Sequence, residues 1–191
     1  MKDAVPPIDA WLGELGVEVV GASGVPGGEA ISRDVVVDGE RRFDLRVTVA
    51  WVSGIGLSLW AYYGPEAMEI PRRVLHRMLR ANFDYPFVKL AMTDDDRPML
   101  VTELPASAVT LTELARGLVR LMVVADRLLV ETASAVADRA QLPDWSGRLP
   151  RNAALLNEYR AEIEGEMPAW QPPLAKRTRR SPFAWLRGPA R

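Results

Sequence analysis

The side chains that most often perform acid–base or nucleophilic chemistry are scarce in this sequence. Its 191 residues include no cysteine and a single histidine, His76. Without cysteine there is no disulfide, no thiolate zinc site and no cysteine nucleophile, and one histidine cannot form a multi-histidine metal site. No serine or carboxylate is spaced to complete a catalytic site with His76. We therefore predict a surface histidine and a protein that is not an enzyme.

Three consecutive aspartates, Asp94, Asp95 and Asp96, offer the oxygen ligands that calcium prefers. Adjacent side chains cannot all point at one ion, and the spaced ligands, central glycine and distal glutamate of a helix-loop-helix calcium loop are absent. Aspartate is common in turns. We therefore predict a solvated hairpin turn here, with no metal and no cofactor.

The glycine-rich stretch at residues 21–28 has the composition of a phosphate-binding loop. Such a loop requires a strand before it and a helix after it, whose N-terminal amides face the anion. Here the pattern that follows is a strand. We predict a flexible connection without a phosphate site.

Four arginines, Arg72, Arg73, Arg77 and Arg80, share one side of a predicted helix with His76. A basic ridge can follow the phosphates of a nucleic acid. The rest of the body is acidic, however, and repels a polyanion at longer range. We predict a solvated or ion-paired helix face.

The chain divides into an acidic body and a basic tail. The final 25 residues carry six basic and no acidic side chains, so residues 1–166 carry a net charge of −7 within the total of −1. Five prolines in the tail prevent a continuous helix, and we predict a mobile segment. Phe183 and Trp185 lie beside its basic residues, a combination that suits an anionic membrane, a nucleic acid or an acidic protein groove. The alternative is a disordered solubilising tail, or a tail packed on the acidic body. The basic residues are Lys176, Arg177, Arg179, Arg180 and Arg187.

The spacing of apolar residues predicts the elements that position these groups. Residues 42–51 alternate apolar and polar side chains, which is typical of a strand with one buried face. Pro71 opens a helix whose apolar stripe is Val74, Leu75, Met78 and Leu79. The predicted order is a helix at 7–15, strands at 30–37, 42–52 and 56–63, a helix from 71, strands at 87–92 and 98–104, a long helix from 110 to about 140, and a weaker helix at 153–164.

The third predicted strand carries two large aromatic side chains on one face. If Leu57, Leu59 and Ala61 are buried, Trp60 and Tyr62 stand on the opposite face of the sheet. Tryptophan and tyrosine are enriched at the hot spots of protein interfaces. Either these two side chains form a partner-binding surface, or the C-terminal helix or the linker with Trp145 covers them.

The helix after Pro71 and the elements that follow it resemble a known family. Residues 75–82, which end in Leu-Arg-x-Asn, together with residues 86–92 and 111–114, look like the YbjN-like family, and the resemblance covers residues 7–140. That family is similar in fold to the class I chaperones of type III secretion. The resemblance implies a twisted antiparallel sheet with helices packed on it, frequent homodimers, and binding or regulation of other proteins without catalysis.

These patterns predict an α+β fold in the order α-β-β-β-α-β-β-α with a C-terminal helix and tail. We expect a domain over residues 1–140, a linker and helix over 141–167, and a tail over 168–191. We expect a chaperone-like or regulatory protein that holds a client segment through Trp60 and Tyr62, with Phe183 and Trp185 as a second contact. The alternative is association with nucleic acid or an anionic membrane through the tail.

The sequence also predicts a compartment and a source. The N-terminus lacks the apolar stretch of a secretory signal, and no apolar run approaches the roughly 20 residues that span a bilayer. Arginine supplies 21 of the 24 basic residues, a bias typical of GC-rich bacterial coding. We therefore expect a cytoplasmic bacterial protein.

Overall fold

The computed structural model describes residues 5–24, 30–85, 87–136 and 147–167, with the backbone alone over residues 130–136. Its elements follow the order predicted from the sequence, with one additional strand near the N-terminus. The helices are α1 (Ile8–Glu14), α2 (Arg72–Asp84), α3 (Leu111–Val136) and α4 (Ala153–Glu166), and the strands are β1 (Glu18–Gly24), β2 (Ala30–Val37), β3 (Leu45–Val52), β4 (Gly56–Tyr62), β5 (Lys89–Met92) and β6 (Pro98–Pro105).

The six strands form one open sheet in the order β1-β2-β3-β4-β6-β5. Every neighbouring pair is antiparallel. The predicted α+β class, with helices packed on a twisted antiparallel sheet, is confirmed. The last hairpin adds to the side of β4, so that β1 and β5 form the two edges of the sheet.

The hydrophobic core lies between one face of the sheet, here called the inner face, and the four helices. Alternate side chains of β3 and β4, such as Val47, Val49 and Leu59, are fully buried on this face. They belong to one cluster with the buried side chains of all four helices. The helix α3 is buried on nearly all sides between Leu114 and Leu128, with its apolar side chains in the core and Arg116 and Arg120 paired with glutamates of α4.

Residues with well-known preferences mark the helix ends. Gly16 adopts a left-handed φ of 64° directly after α1, a conformation that favours glycine. Pro71 immediately precedes α2. The Thr110 hydroxyl accepts a hydrogen bond from the Glu113 N–H at 3.2 Å and caps α3.

The strand β1 corrects the prediction of a loop over residues 21–28. Residues 21–24 pair with β2, whereas residues 25–29 lie outside the described part of the chain. Seven residues form β1, and none of them is buried. An edge strand whose side chains are exposed on both faces has no alternation of apolar and polar residues, so its sequence resembles a loop.

The strand β3 begins at Leu45 instead of the predicted position 42, because the preceding loop is bound to α3. The Asp126 carboxylate on α3 accepts hydrogen bonds from the N–H groups of Glu40, Arg41 and Arg42 at 2.7, 2.9 and 2.6 Å. A Cβ atom at Gly39 would lie 2.5 Å from Asp126 Oδ1, so only glycine permits this approach. The N–H groups of this loop therefore cannot form backbone hydrogen bonds with β2, and β3 begins only after them.

The start of α4 is held by Asp38, a carboxylate with no solvent exposure. Its Oδ1 accepts from the Asp44 N–H at 2.8 Å, and its Oδ2 accepts from the Arg151 N–H and Nε–H, each at 3.0 Å. The Asp38 N–H donates to Asn152 Oδ1 at 3.4 Å, and Asn152 Nδ2 donates to the Gly16 carbonyl at 3.3 Å. This network joins α4, the loop after β2 and the end of α1.

Ion pairs continue along α4 and tie it to α3. Arg116 contacts Glu162 at 2.5 Å, and Arg120, whose side chain is only 9% exposed, contacts Glu166 at 3.0 Å. Leu155, Leu156 and Ile163 of α4 are buried in the common core cluster. The C-terminal helix therefore packs as part of the same core as α3.

We predict that Asp38→Asn destabilises the fold and weakens its sensitivity to acid. Both carboxylate oxygens accept from N–H groups, so the amide NH₂ would face a donor, and the free energy of unfolding should fall by about 3 kcal/mol at neutral pH. Burial raises the pKa of the Asp38 carboxyl. The hydrogen bonds from Asp44 and Arg151 lower it by a larger amount, so the net pKa is below the usual 3.8. The stabilisation is therefore complete above the usual value and is lost progressively as the pH falls through the lowered pKa of the folded state.

Urea unfolding between neutral pH and about pH 3 measures both effects. The control is Asp94→Asn, which removes an exposed carboxylate from the turn after β5 and should change the free energy by less than about 0.5 kcal/mol. Equal stability of Asp38→Asn and the native chain would contradict the role given to the buried carboxylate.

Candidate functional site

The second face of the sheet, here called the outer face, carries the two aromatic side chains singled out in the sequence. Leu57, Leu59 and Ala61 of β4 are buried on the inner face. Trp60 is half-buried on the outer face, and Tyr62 is 51% exposed there. The alternation predicted for this strand is therefore observed.

The outer face around Trp60 is apolar at its centre and polar at its margins. Thr48 on β3 and Val101 on β6 stand opposite Trp60 in the two flanking strands, and Met99 stands opposite Tyr62. Paired residues in antiparallel strands point to the same face, with Cβ atoms about 5 Å apart. Neighbouring positions on the same face include the charged side chains Arg46, Lys89 and Glu103, all of which are exposed.

Within the described part of the chain, the apolar side chains around Trp60 on the outer face do not pack against the hydrophobic core. Trp60, Tyr62, Met99 and Val101 neither belong to the core cluster nor pack against it. The helix α4, which the sequence left as a possible cover, instead packs on α3. The linker with Trp145 lies outside the described residues, so its relation to Trp60 stays open.

The two edges of the sheet differ. At the β5 edge, Asn82 from the end of α2 forms a double hydrogen bond with the backbone of Leu90: its Nδ2 donates to the Leu90 carbonyl at 3.2 Å, and its Oδ1 accepts from the Leu90 N–H at 2.6 Å. The Asn82 amide thus occupies the position of a further strand. This residue ends the Leu-Arg-x-Asn run of the sequence, and its role depends on the fold.

At the opposite edge, β1 has no strand neighbour on its outer side within the described residues. Val19 and Val20 are 41% and 46% exposed, and the pairing of β1 with β2 shifts between Val19 and Gly21. Exposed edge strands are the positions at which another extended chain adds to a sheet.

The remaining polar candidates occupy surface turns and helix faces. Asp96 adopts φ 56° in the turn between β5 and β6, where its N–H donates to the Thr93 carbonyl at 3.0 Å. The described residues contain no group of three acidic or histidine side chains arranged to hold a metal. His76 is exposed on α2.

A cleft of about 310 Å³ lies between the loop after β2, α3 and α4. Arg160 contacts Glu40 and Glu164 there, and Asp126 is bound to backbone N–H groups. The charged groups that line this cleft are thus largely engaged with one another. The ion pairs and hydrogen bonds in this cleft therefore hold the loop after β2 against the two helices.

The helix α2 carries a second apolar stripe that the sequence interpretation missed. Leu79, predicted to be in the core, is 63% exposed, and Phe83, one turn later, is 68% exposed. The buried side chains of α2 are Val74, Met78 and Ala81. The spacing of four residues from Leu75 to Leu79 to Phe83 is the signal that distinguishes the outer stripe from the buried one.

Several predicted contacts lie outside the described residues. They are Phe183, Trp185, Lys176, Arg177, Arg179, Arg180 and Arg187, all of which belong to the tail. In the described part of the chain, no helix is both long enough and apolar enough to cross a membrane.

Comparison with known proteins gives one structural likeness. No protein-family model matches the chain, and no curated protein matches it. A chain in the structure of the heterodimeric complex ExoU-SpcU from the type III secretion system of Pseudomonas aeruginosa is similar, with a TM-score of 0.45 and 22% sequence identity over 64% of this chain and 95% of that chain. This likeness does not assign the chain to a family, and the YbjN-like resemblance stays a prediction.

We predict that Asn82→Ala opens the β5 edge. The substitution removes two hydrogen bonds to Leu90, each worth about 1 kcal/mol, and leaves the Leu90 N–H without its protein partner. Hydrogen exchange measured by NMR should show faster exchange at Leu90, and light scattering should show increased self-association. Arg80→Ala, on the exposed side of the same helix, is the control. Unchanged exchange at Leu90 in Asn82→Ala would refute the edge-blocking role.

Proposed function

We propose that this protein is a non-enzymatic, chaperone-like binding protein that holds an extended segment of a client polypeptide on the outer face of its sheet. The observation that supports this proposal is the position of Trp60 and Tyr62 on a sheet face whose described side chains do not join the core. Aromatic side chains supply large contact areas with little loss of conformational freedom.

The dimensions of the face suit an extended segment of a client. Six strands spaced about 4.8 Å apart span roughly 24 Å, and seven residues of a strand extend about 23 Å. In flat projection the face therefore covers roughly 550 Å². An extended chain of about seven residues fits this width.

The free edge of β1 supplies a second means of holding such a segment. A client strand that adds to β1 forms backbone hydrogen bonds, which give affinity with little dependence on sequence. Alternate side chains of the added strand point to the outer face, but that strand lies about 19 Å from β4, so a client must extend beyond it to reach Trp60 as well.

The homodimer implied by the family resemblance belongs to the same proposal, as does the cytoplasmic location. The proposed binding at the outer face requires neither the homodimer nor the cytoplasmic location. Light scattering on the full chain measures the first, and fractionation of the source cell measures the second.

We predict that Trp60→Ser with Tyr62→Ser abolishes client capture without unfolding the protein. The probe is a permanently unfolded protein, labelled and titrated with the full chain. Loss of two interface aromatics should weaken binding by about 2 to 4 kcal/mol, or 30-fold to 1,000-fold. The midpoint of thermal unfolding should stay within a few degrees, since both side chains lie outside the core cluster.

The matched control is Ile55→Ser with Met68→Ser, which removes two exposed apolar side chains, one from the turn between β3 and β4 and one from the short 3-10 helix Ala67–Glu69. Its affinity should equal that of the native chain. If the Trp60 and Tyr62 variant fails to fold, the two side chains are part of a core. If it folds and binds as tightly as the native chain, the outer face is not the client surface.

We propose as the second candidate that the basic tail associates with a nucleic acid or an anionic membrane. The charge division of the sequence favours it, since the tail carries +6 against −7 for residues 1–166. Phe183 and Trp185 would add apolar contacts to the electrostatic attraction.

We predict that a chain ending at Met167 loses this association entirely. Binding of both chains to duplex DNA, RNA and anionic vesicles over a salt series is the measurement. If the five basic residues Lys176, Arg177, Arg179, Arg180 and Arg187 each contact a phosphate, the logarithm of the DNA affinity should fall with the logarithm of salt concentration with a slope of about −4.5. Binding that is absent, insensitive to salt or retained by the shortened chain would eliminate the tail as the electrostatic contact.

A further inference from the structure

We propose that the exposed side of α2 is a docking surface for an acidic amphipathic helix of another protein. This surface, here called the α2 face, consists of the apolar side chains Leu75, Leu79 and Phe83 and the arginines Arg72, Arg73 and Arg80. It does not depend on the client-binding role of the outer sheet face, because the buried side of α2 packs into the core on the inner face.

The apolar part of the α2 face is a continuous stripe. Leu75, Leu79 and Phe83 follow one another at intervals of four residues, which places them on one side of the helix over about 12 Å. Leu75 is half-buried and packs against the core at the margin of the stripe, and the other two side chains are more than 60% exposed. Large apolar side chains that are exposed next to one another mark interaction sites more often than single ones do.

The charged part of the α2 face is basic and unpaired. Arg72, Arg73 and Arg80 are exposed, and the structure gives them no ion pair within the described residues. Arg77, on the far side of the basic row, contacts Asp84 at 3.6 Å. The helix is therefore positive along the apolar stripe, although residues 1–166 are net negative. This local reversal of charge selects a partner with carboxylates beside its apolar side chains.

The same charges argue against a second copy of this chain as the occupant. Two α2 helices packed side by side are 8–10 Å apart, which is about the screening length at physiological salt. Six exposed arginines would then face one another across the contact, and the only carboxylate of α2, Asp84, is already engaged with Arg77. Like charges at this distance oppose association.

A helix fits the surface better than an extended strand. The stripe has helical spacing, and the backbone of α2 makes its own hydrogen bonds, so it offers no free edge for strand addition. A helix with leucines at positions i, i+4 and i+7 and with glutamates beside them would lay its apolar side on Leu79 and Phe83. Its glutamates would then meet the three arginines.

The test uses a labelled peptide of about 18 residues with this leucine pattern and flanking glutamates, and a counterpart in which lysines replace the glutamates. Fluorescence anisotropy with the full chain should show at least about tenfold tighter binding of the glutamate peptide, and the difference should decrease with added salt. Leu79→Ser with Phe83→Ser should weaken binding of the glutamate peptide by about tenfold or more. Reversal of charge at Arg72, Arg73 and Arg80 to glutamate should transfer the preference to the lysine peptide.

The controls are Ile55→Ser and Arg41→Glu, which make equivalent changes at exposed positions away from α2, and both should bind the glutamate peptide as the native chain does. The Trp60→Ser and Tyr62→Ser variant should also bind it normally, which separates this surface from the outer sheet face. Equal binding of the two peptides, or an unchanged affinity of the Leu79 and Phe83 variant, overturns the proposal. A dimer that this variant converts to monomers, measured by light scattering, assigns the face to a second copy and also overturns it.

Discussion

The structure depends on the burial of α3, which is enclosed on almost its entire circumference and carries one charged stripe that pairs with α4. Residues from Leu114 to Leu128 face the sheet on one side and α2 and α4 on the others. A helix of this kind is stable only where other elements cover every side. The packing of the helices around α3 on the inner face leaves the opposite face of the sheet without a helix from the described part of the chain. The aromatic side chains on that face are a consequence of how the core is arranged.

The sequence predicted the parts of the fold that follow a simple period. β3 and β4 have one buried and one open face, so their alternation identified both the strands and the orientation of Trp60 and Tyr62. β1 gave no such signal, because its seven residues have no buried face. The start of β3 depends on Asp126, which lies more than 80 residues away from the loop that it binds. Contacts of that range have no local pattern in a sequence.

Parts of the candidate sites could not be predicted for the same reason, because they depend on contacts between residues that are distant in the sequence. Helical spacing identified α2, but two apolar stripes share this helix, and only the packing against α3 shows that Val74 and Met78 are inside and Leu79 is outside. The sequence also gives no signal for the role of Asn82, because an asparagine at a helix end is common. Its contact with Leu90 requires β5 to lie beside it. The polar network around Asp38 also joins the residue that follows β2 to Arg151, which precedes α4, and no motif connects the two.

The blocked edge at β5 affects how many molecules can be joined through their sheets. Sheets with two open edges can polymerise into fibrils without a defined end, because each added copy presents a fresh edge for the next. Within the described residues, β1 is open, whereas Asn82 occupies the opposite edge at Leu90, and β5 pairs with β6 as far as Val101. Two copies that pair through β1 both use that edge, so further growth must proceed through the side of β5 and β6. There the Asn82 amide obstructs an added strand, so one side chain opposes growth beyond a pair.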